Sequence, residues 1–186
     1  MIREIILSSQ SASGKVHIAP MGIHCIVDEM LIMPFRPSQT LDNVLATGQA
    51  VMNYCDDVRI FAGCLTGRRE WPLCPTEIIR GQRLAAALAH AELELVRHEE
   101  DAVRPRLYCR IVHQAIHAPF QGFNRAQFAV LEAAILVSRL HMLSPEKIET
   151  ELAYLHIGLD KTAGPAEREA WGWLMEKIEH HKEQHL

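Results

Sequence analysis

The apolar residues change their repeat distance once along this chain. From Ile2 to about Ile116 they fall in short, β-branched runs broken by Gly, Pro and Ser; from Arg125 onward they recur three and four positions apart in Ala-, Leu- and Glu-rich sequence. Spacing of two belongs to strands with one buried face, and spacing near 3.6 to helices with one buried stripe. Such a chain is of α+β class, dominated by β structure. With 186 residues it can form one or two compact units, and the change of period predicts a β-rich core over residues 1–120 and a helical segment over residues 121–186.

Within the first part, Ile2–Ser8 and Val16–Ala19 flank a Ser- and Gly-containing turn and read as a hairpin, with Pro20, Met21 and Gly22 expected to interrupt it. The run from Ile23 to Phe35 divides at Asp28 and Glu29 into two strands joined by a tight turn. Ser38 and Thr40 precede a short apolar-periodic stretch that ends at Gly48, which predicts a capped helix, and Gln49–Tyr54 reads as a strand. From Val58 to Ile79 the glycines and prolines predict loop with at most short helices. Helix propensity over Arg83–Ala91 conflicts with the strand alternation of Glu92–Arg97, and Leu107–Ile116 completes a second hairpin. The rest reads as three helices: Arg125 to Met142, Ser144 to Ile157 with Gly158 closing it, and a last one opened by Gly164-Pro165 and carrying Trp171, Leu174, Met175 and Ile178 before a polar tail from His180 to His185.

Composition excludes several classes. A chain 48% hydrophobic and 23% charged is not that of a disordered protein. Nineteen basic against 23 acidic residues give a formal charge of -4, which provides no global field for nucleic acid. Glu132 breaks the best apolar run, Phe128–Val137, well short of the roughly 18 residues a membrane span needs. The first seven residues lack an export signal, so the cytoplasm is the expected location. Five scattered cysteines without a Cys-x-x-Cys pair fit reduced thiols used for packing.

The residues that most invite chemistry are Ala19-Pro20-Met21-Gly22 and Arg36-Pro37-Ser38-Gln39-Thr40-Leu41-Asp42-Asn43. A forked cation, two hydroxyls and the free amides of a helix start together make an anion site suited to a phosphomonoester. Gly22 and Pro20 would let backbone approach a flat heterocycle closely. The plainer use of the same residues is a helix cap at Ser38 or Thr40 and a surface ion pair at Arg36.

The order strand, Ala19-Pro20-Met21-Gly22, strand, Arg36-x-Ser38-x-Thr40-x-x-Asn43, helix, Gly48, and a strand ending near Asn53 resembles the flavin-binding half of FMN-binding split-barrel proteins. Phe123-Asn124-Arg125-Ala126 running into Val130–Ala134 and Ser138-Arg139-Leu140 extends the likeness, which is strongest to the domain of unknown function 447 family. The resemblance implies a six-stranded Greek-key-like barrel and a homodimer with FMN near the subunit interface. It implies phosphate contacts from Arg36, Ser38, Thr40 and Asn43, with Pro20, Met21 and Gly22 flanking the ring and Asn53 on the ring or ribityl chain. A flavin carries the redox chemistry itself, so no protein acid or base is required. The expected activity is that of a flavin reductase-like oxidoreductase with NAD(P)H as visiting donor and a small-molecule substrate; the alternative is a non-catalytic flavin-binding or interaction module.

Other signals carry less. There is no Gly-x-Ser-x-Gly, Gly-x-Gly-x-x-Gly or Walker A sequence. Eleven histidines are dispersed apart from His180, His181 and His185. His113 and His117 share a strand face, but no acidic or Cys ligand accompanies them in the sequence, so no metal site is expected. Trp171 and Trp173 are read as packing residues.

Overall fold

A computed structural model describes residues 1–184, so His185 of the polar tail lies outside the described residues. The strands are β1 (Ile2–Gln10), β2 (Val16–Ile26), β3 (Glu29–Ile32), β4 (Gln49–Tyr54), β5 (Leu73–Pro75), β6 (Gln82–Leu84), β7 (Ala89–Glu99) and β8 (Arg106–Ile116). The helices are α1 (Gln39–Thr47), α2 (Val58–Leu65), α3 (Arg125–Val137), α4 (Pro145–Thr162) and α5 (Pro165–Glu183), with a single 3-10 turn at Leu140–Met142.

Six antiparallel strands close into a barrel in the order β1-β2-β3-β8-β7-β4, as the six-stranded expectation required. Closure pairs β4 back onto β1 and so removes the free edges an open sheet would expose. The barrel interior is filled by one face of each strand, including Ile5, Leu7, Ile23, Ile32, Met52, Leu93 and Leu107. The break expected at Pro20 does not occur: β2 pairs with β1 without interruption from His24 opposite Ile2 to Val16 opposite Gln10, and Pro20 faces Ile6. β3 reaches only His24–Ile26 on the other side of β2, so Pro20 occupies a stretch with one ladder, where a missing N–H is tolerated. The tight turn between β2 and β3 is made by Asp28, whose φ of 62 is left-handed.

Pairing also settles the conflict over Arg83–Ala91. β7 begins at Ala89 because Ala89–Glu94 pair with β4 on one side and with β8 on the other, and two ladders override the helix propensity of the alanines. The same alternation that turns Ala91 and Leu93 inward turns His90 and Glu92 outward. Both outward side chains are nevertheless fully buried, because the segment that carries β5 and β6 lies over them. Glu92 accepts hydrogen bonds from the backbone N–H groups of Glu77 (2.7 Å), Ile78 (2.9 Å) and Ile79 (2.7 Å).

Residues Asp56–Glu70 and the chain from Gln121 onward form a second unit, the barrel unit being Met1–Cys55 with Trp71–Phe120. A boundary at residue 120 alone places 56–70 with the barrel; instead α2 joins the helices, since its Val58 and Ala62 share a core with Ala129, Ala133, Leu174 and Ile178. Asp57 caps α2 by accepting from the Arg59 N–H at 3.1 Å, and this eight-residue helix is the kind of short helix that the break-rich region allowed. Gly158 does not end α4, which continues to Thr162. A Cβ there would lie 3.4 Å from the Arg125 carbonyl oxygen, so the glycine serves the close approach of α3 to α4.

Two outcomes are expected. Leu174, fully buried in the helical unit, should cost about 2–5 kcal/mol when changed to Ala, read by denaturant unfolding. Burial alone would push the Glu92 carboxyl up, yet the Ile79, Glu77 and Ile78 amides and the His90 ring hold it below its ordinary value. Stability from this group is therefore fully present above about pH 4.3, where the unfolded carboxyl titrates, and is lost as pH falls through the lower folded value. The protection of the Glu77, Ile78 and Ile79 amides against exchange, relative to their intrinsic rates, should fall over that acid range, and Glu92→Ala should cost about 3 kcal/mol at neutral pH by orphaning these donors.

Candidate functional site

The anion-site residues surround the start of α1. Ser38 is the N-cap and accepts from the Leu41 N–H at 3.2 Å, while Gly48 closes the helix with a φ of 70. The Gln39 and Thr40 amides come first in the helix and have no intrahelical acceptor, leaving two donors and the positive end of the dipole at this point. Thr40 is buried beside them. Asn43 is buried as well, but it is engaged: its Nδ2 donates to Ser9 Oγ at 3.1 Å and its Oδ1 accepts from Gln39 Nε2 at 2.9 Å. It fastens α1 to β1 and has little left for a ligand.

Arg36 enters this region from the connection after β3. Its Nη2 pairs with Glu100 Oε2 at 2.6 Å and its Nε donates to the Asp101 carbonyl at 3.2 Å. Both partners of the ion pair are substantially exposed, at 39% and 65%, so the pair is worth roughly 0–1 kcal/mol and is readily exchanged for a stronger anion. Arg104 is the residue that sequence reasoning missed. Its guanidinium lies 4.3 Å from the Phe35 ring centre, its Nη2 donates to the Met33 carbonyl at 3.2 Å, and its buried Nε has no hydrogen-bond partner. The β7–β8 turn delivers it: Asp101 accepts from the Val103 and Arg104 amides, and the Arg36 N–H donates to the Val103 carbonyl at 3.0 Å. Only the folded turn brings Arg104 to the connection that holds Arg36.

The other predicted residues are placed differently. Met21 packs against the barrel core. A Cβ on Gly22 would meet Glu4 Oε1 and Ile2 Cγ2 at 3.1 Å, so its small size already serves β1 side chains across the ladder. Pro20 is half-buried next to them. Asn53 is fully buried: Nδ2 donates to the Ile6 carbonyl at 3.0 Å and to Ser8 Oγ at 3.1 Å, and Oδ1 accepts from the Leu84 N–H at 2.7 Å. Together with Ser8, which donates to the Gln82 carbonyl at 2.6 Å, it ties β6 to the outside of the barrel. Asn53 is a structural clip in this arrangement.

The cysteines behave as packing residues. Burial pushes the Cys64 thiol up to about 11 and that of Cys109 up to about 12, far from the thiolate a nucleophile needs. Trp171 is buried in the helical core, and the Arg68 guanidinium lies 4.6 Å from the Trp173 ring centre. His113 and His117, a bare pair in the sequence, are joined in the fold by His90 and Glu77. No described helix is long and apolar enough to cross a membrane.

Known proteins share both the sequence pattern and the barrel. Residues 3–118 match the family described as protein of unknown function (DUF447) N-terminal domain, and residues 124–176 match its companion, protein of unknown function (DUF447). Among solved structures, an FMN-bound DUF447 protein from Methanosarcina mazei is 22% identical over 95% of this chain and 94% of its own, with a TM-score of 0.80. A 2-nitrobenzoate 2-nitroreductase from Pseudomonas fluorescens is 20% identical over 62% of this chain and 65% of its own, with a TM-score of 0.53. A flavoredoxin from Methanosarcina acetivorans is 12% identical over 62% of this chain and 69% of its own, with a TM-score of 0.54. No curated protein matches. The barrel is the split-barrel fold of these structures, and with both family segments matched in order over most of its length, the chain belongs to the DUF447 family.

Proposed function

We propose that the chain is an FMN-binding flavoprotein, an oxidoreductase of the flavin reductase-like type that works as a homodimer with FMN near the subunit interface. The observation that carries this reading is the start of α1, with two amides that lack intrahelical acceptors and the hydroxyls of Ser38 and Thr40, next to the connection on which Arg36 is held by an exposed ion pair and one carbonyl and Arg104 has an unpaired buried Nε. Such a cluster fits a phosphate dianion, and the structurally similar DUF447 protein from Methanosarcina mazei is FMN-bound. Arg36, Ser38 and Thr40 would hold the phosphate, with Arg104 added to the expected set. Asn43 and Asn53 would act indirectly, by fixing α1 and β6 where they stand.

Bound FMN would supply hydride or electron transfer at its ring system. The chain's own part is to anchor the phosphate and shape the face that a donor such as NAD(P)H and a small organic acceptor visit in turn. Ile2, Val27 and Ile116 are exposed aliphatics of the barrel unit and suit a subunit interface. The cytoplasm is the proposed compartment, a reading supported by five scattered cysteines without a Cys-x-x-Cys pair.

Tag-free protein loaded with FMN should elute from a sizing column as a yellow dimer and be reduced by NADH or NADPH. Reduction by dithionite alone would favour the non-catalytic flavin carrier. Arg36→Ala combined with Thr40→Ala should weaken FMN binding roughly 10- to 100-fold while circular dichroism stays unchanged, and Arg104→Ala should do so to a similar degree. Tight FMN retention by the folded double variant would move the phosphate elsewhere.

A further inference from the structure

We propose that Glu77, His90 and His113 form a binding site for one divalent transition-metal ion of the zinc class, on the outer face of the barrel and separate from the α1 region. One ligand atom from each of the three residues lies within 4.8 Å of the others. Ligands at about 2.1 Å from a tetrahedral ion sit roughly 3.4 Å apart, a spacing between the 2.7 Å of His113 Nε2 and Glu77 Oε2 and the 4.8 Å that bounds the group, so small side-chain shifts bring all three into one coordination sphere. Two imidazoles and a carboxylate suit zinc or cobalt, whereas calcium and magnesium favour all-oxygen sites.

The pairing of β7 with β8 builds the group. Glu92 faces His113 and His90 faces Ala115 across the ladder, so His90, His113 and His117 share one face, with the small Ala115 leaving space between the two β8 histidines. The register then shifts between Glu92 and Leu93, which ends the regular ladder directly beside His113. Glu77 is carried in from above by the amides that bind Glu92.

Two features distinguish this cluster from a satisfied histidine core. His113 Nε2 is 2.7 Å from Glu77 Oε2, yet the geometry is not that of a hydrogen bond and this buried nitrogen has no other partner. A ring nitrogen and a carboxylate oxygen held this close outside hydrogen-bond geometry are what a cation would bridge. His90, in turn, is braced on both sides: Nδ1 is 2.9 Å from His117 Nε2 and Nε2 is 3.2 Å from Glu92 Oε1. Whichever nitrogen ligates, the other keeps a hydrogen-bonded neighbour that fixes the ring, as outer residues do around metal-bound histidines. The Glu92 carboxylate also places a buried negative charge beside the site.

Glu77 is half exposed and His113 is partly exposed, which provides a route for entry. Three protein ligands leave a fourth position for water or a substrate oxygen, the arrangement of zinc sites that act on a bound molecule. The inference does not depend on flavin binding.

The test uses the tag-free full chain, stripped with chelator and titrated with zinc by calorimetry and with cobalt by visible absorption. One equivalent should bind, with a cobalt ligand-field band. Glu77→Gln, at an exposed position, and His113→Ala should each weaken zinc at least about tenfold with the fold intact by circular dichroism. Replacing His180 and His181 should change nothing, since these lie in the last turn of α5. The proposal is overturned by the absence of stoichiometric binding in folded wild type, by unchanged affinity in both site variants, or by loss of binding only when His180 and His181 are replaced.

Discussion

A carboxylate with no water around it must be solvated by the protein, and Glu92 is solvated by three consecutive backbone amides of the segment that crosses above it. Much of the barrel unit's outer face derives from that requirement. An outward-pointing acid on a barrel strand would ordinarily face water; here its demand for donors recruits the 77–79 turn, and Asn53 and Ser8 secure β6 a few residues on. The cover in turn buries His90 and brings Glu77 to His113. Removing the acid would free the 77–79 turn, while Asn53 and Ser8 would still hold β6.

The α1 region answers to a different constraint. A helix whose first amides lack acceptors must find them in a cap, in water or in an anion, and Ser38 satisfies only part of that need. The surrounding charges are arranged as a balance. Glu100 occupies Arg36 and the Asp101 carboxylate, held below its usual range by the Arg104 and Val103 amides, shapes the turn that presents Arg104. Positive charge is thereby kept soluble and in place while remaining available to a stronger partner.

Local chemistry was legible in the sequence wherever it is decided within a few residues. Ser38 and Gly48 mark both ends of α1, the β4 span is read correctly as Gln49–Tyr54, and the change of period at Arg125 separates strands from helices. Features decided by distant partners were not. Pro20 reads as a break until β1 is seen to provide its only ladder; Gly158 reads as a terminator until Arg125 is seen pressed against it; alanines 85–87 read as helix until β4 and β8 claim the residues after them. Arg104 and the Glu77, His90 and His113 group belong to the same class. Their members lie far apart in sequence, and no local pattern marks residues that meet only through strand register.

The excursion of the chain through α2 bears on how this family is put together. α2 lies inside the segment matched by the N-terminal family domain, yet its Val58 and Ala62 are buried among helices supplied by the C-terminal one. Arg59 and Arg68 tie it further to Glu169 and Glu176 of α5. The helical unit is thus not an appendage fused to a finished barrel, because one of its helices is stitched between barrel strands β4 and β7. The barrel core is complete within the N-terminal segment, but the helical core needs α2 from it, so the C-terminal segment is not expected to be exchanged as an independent module.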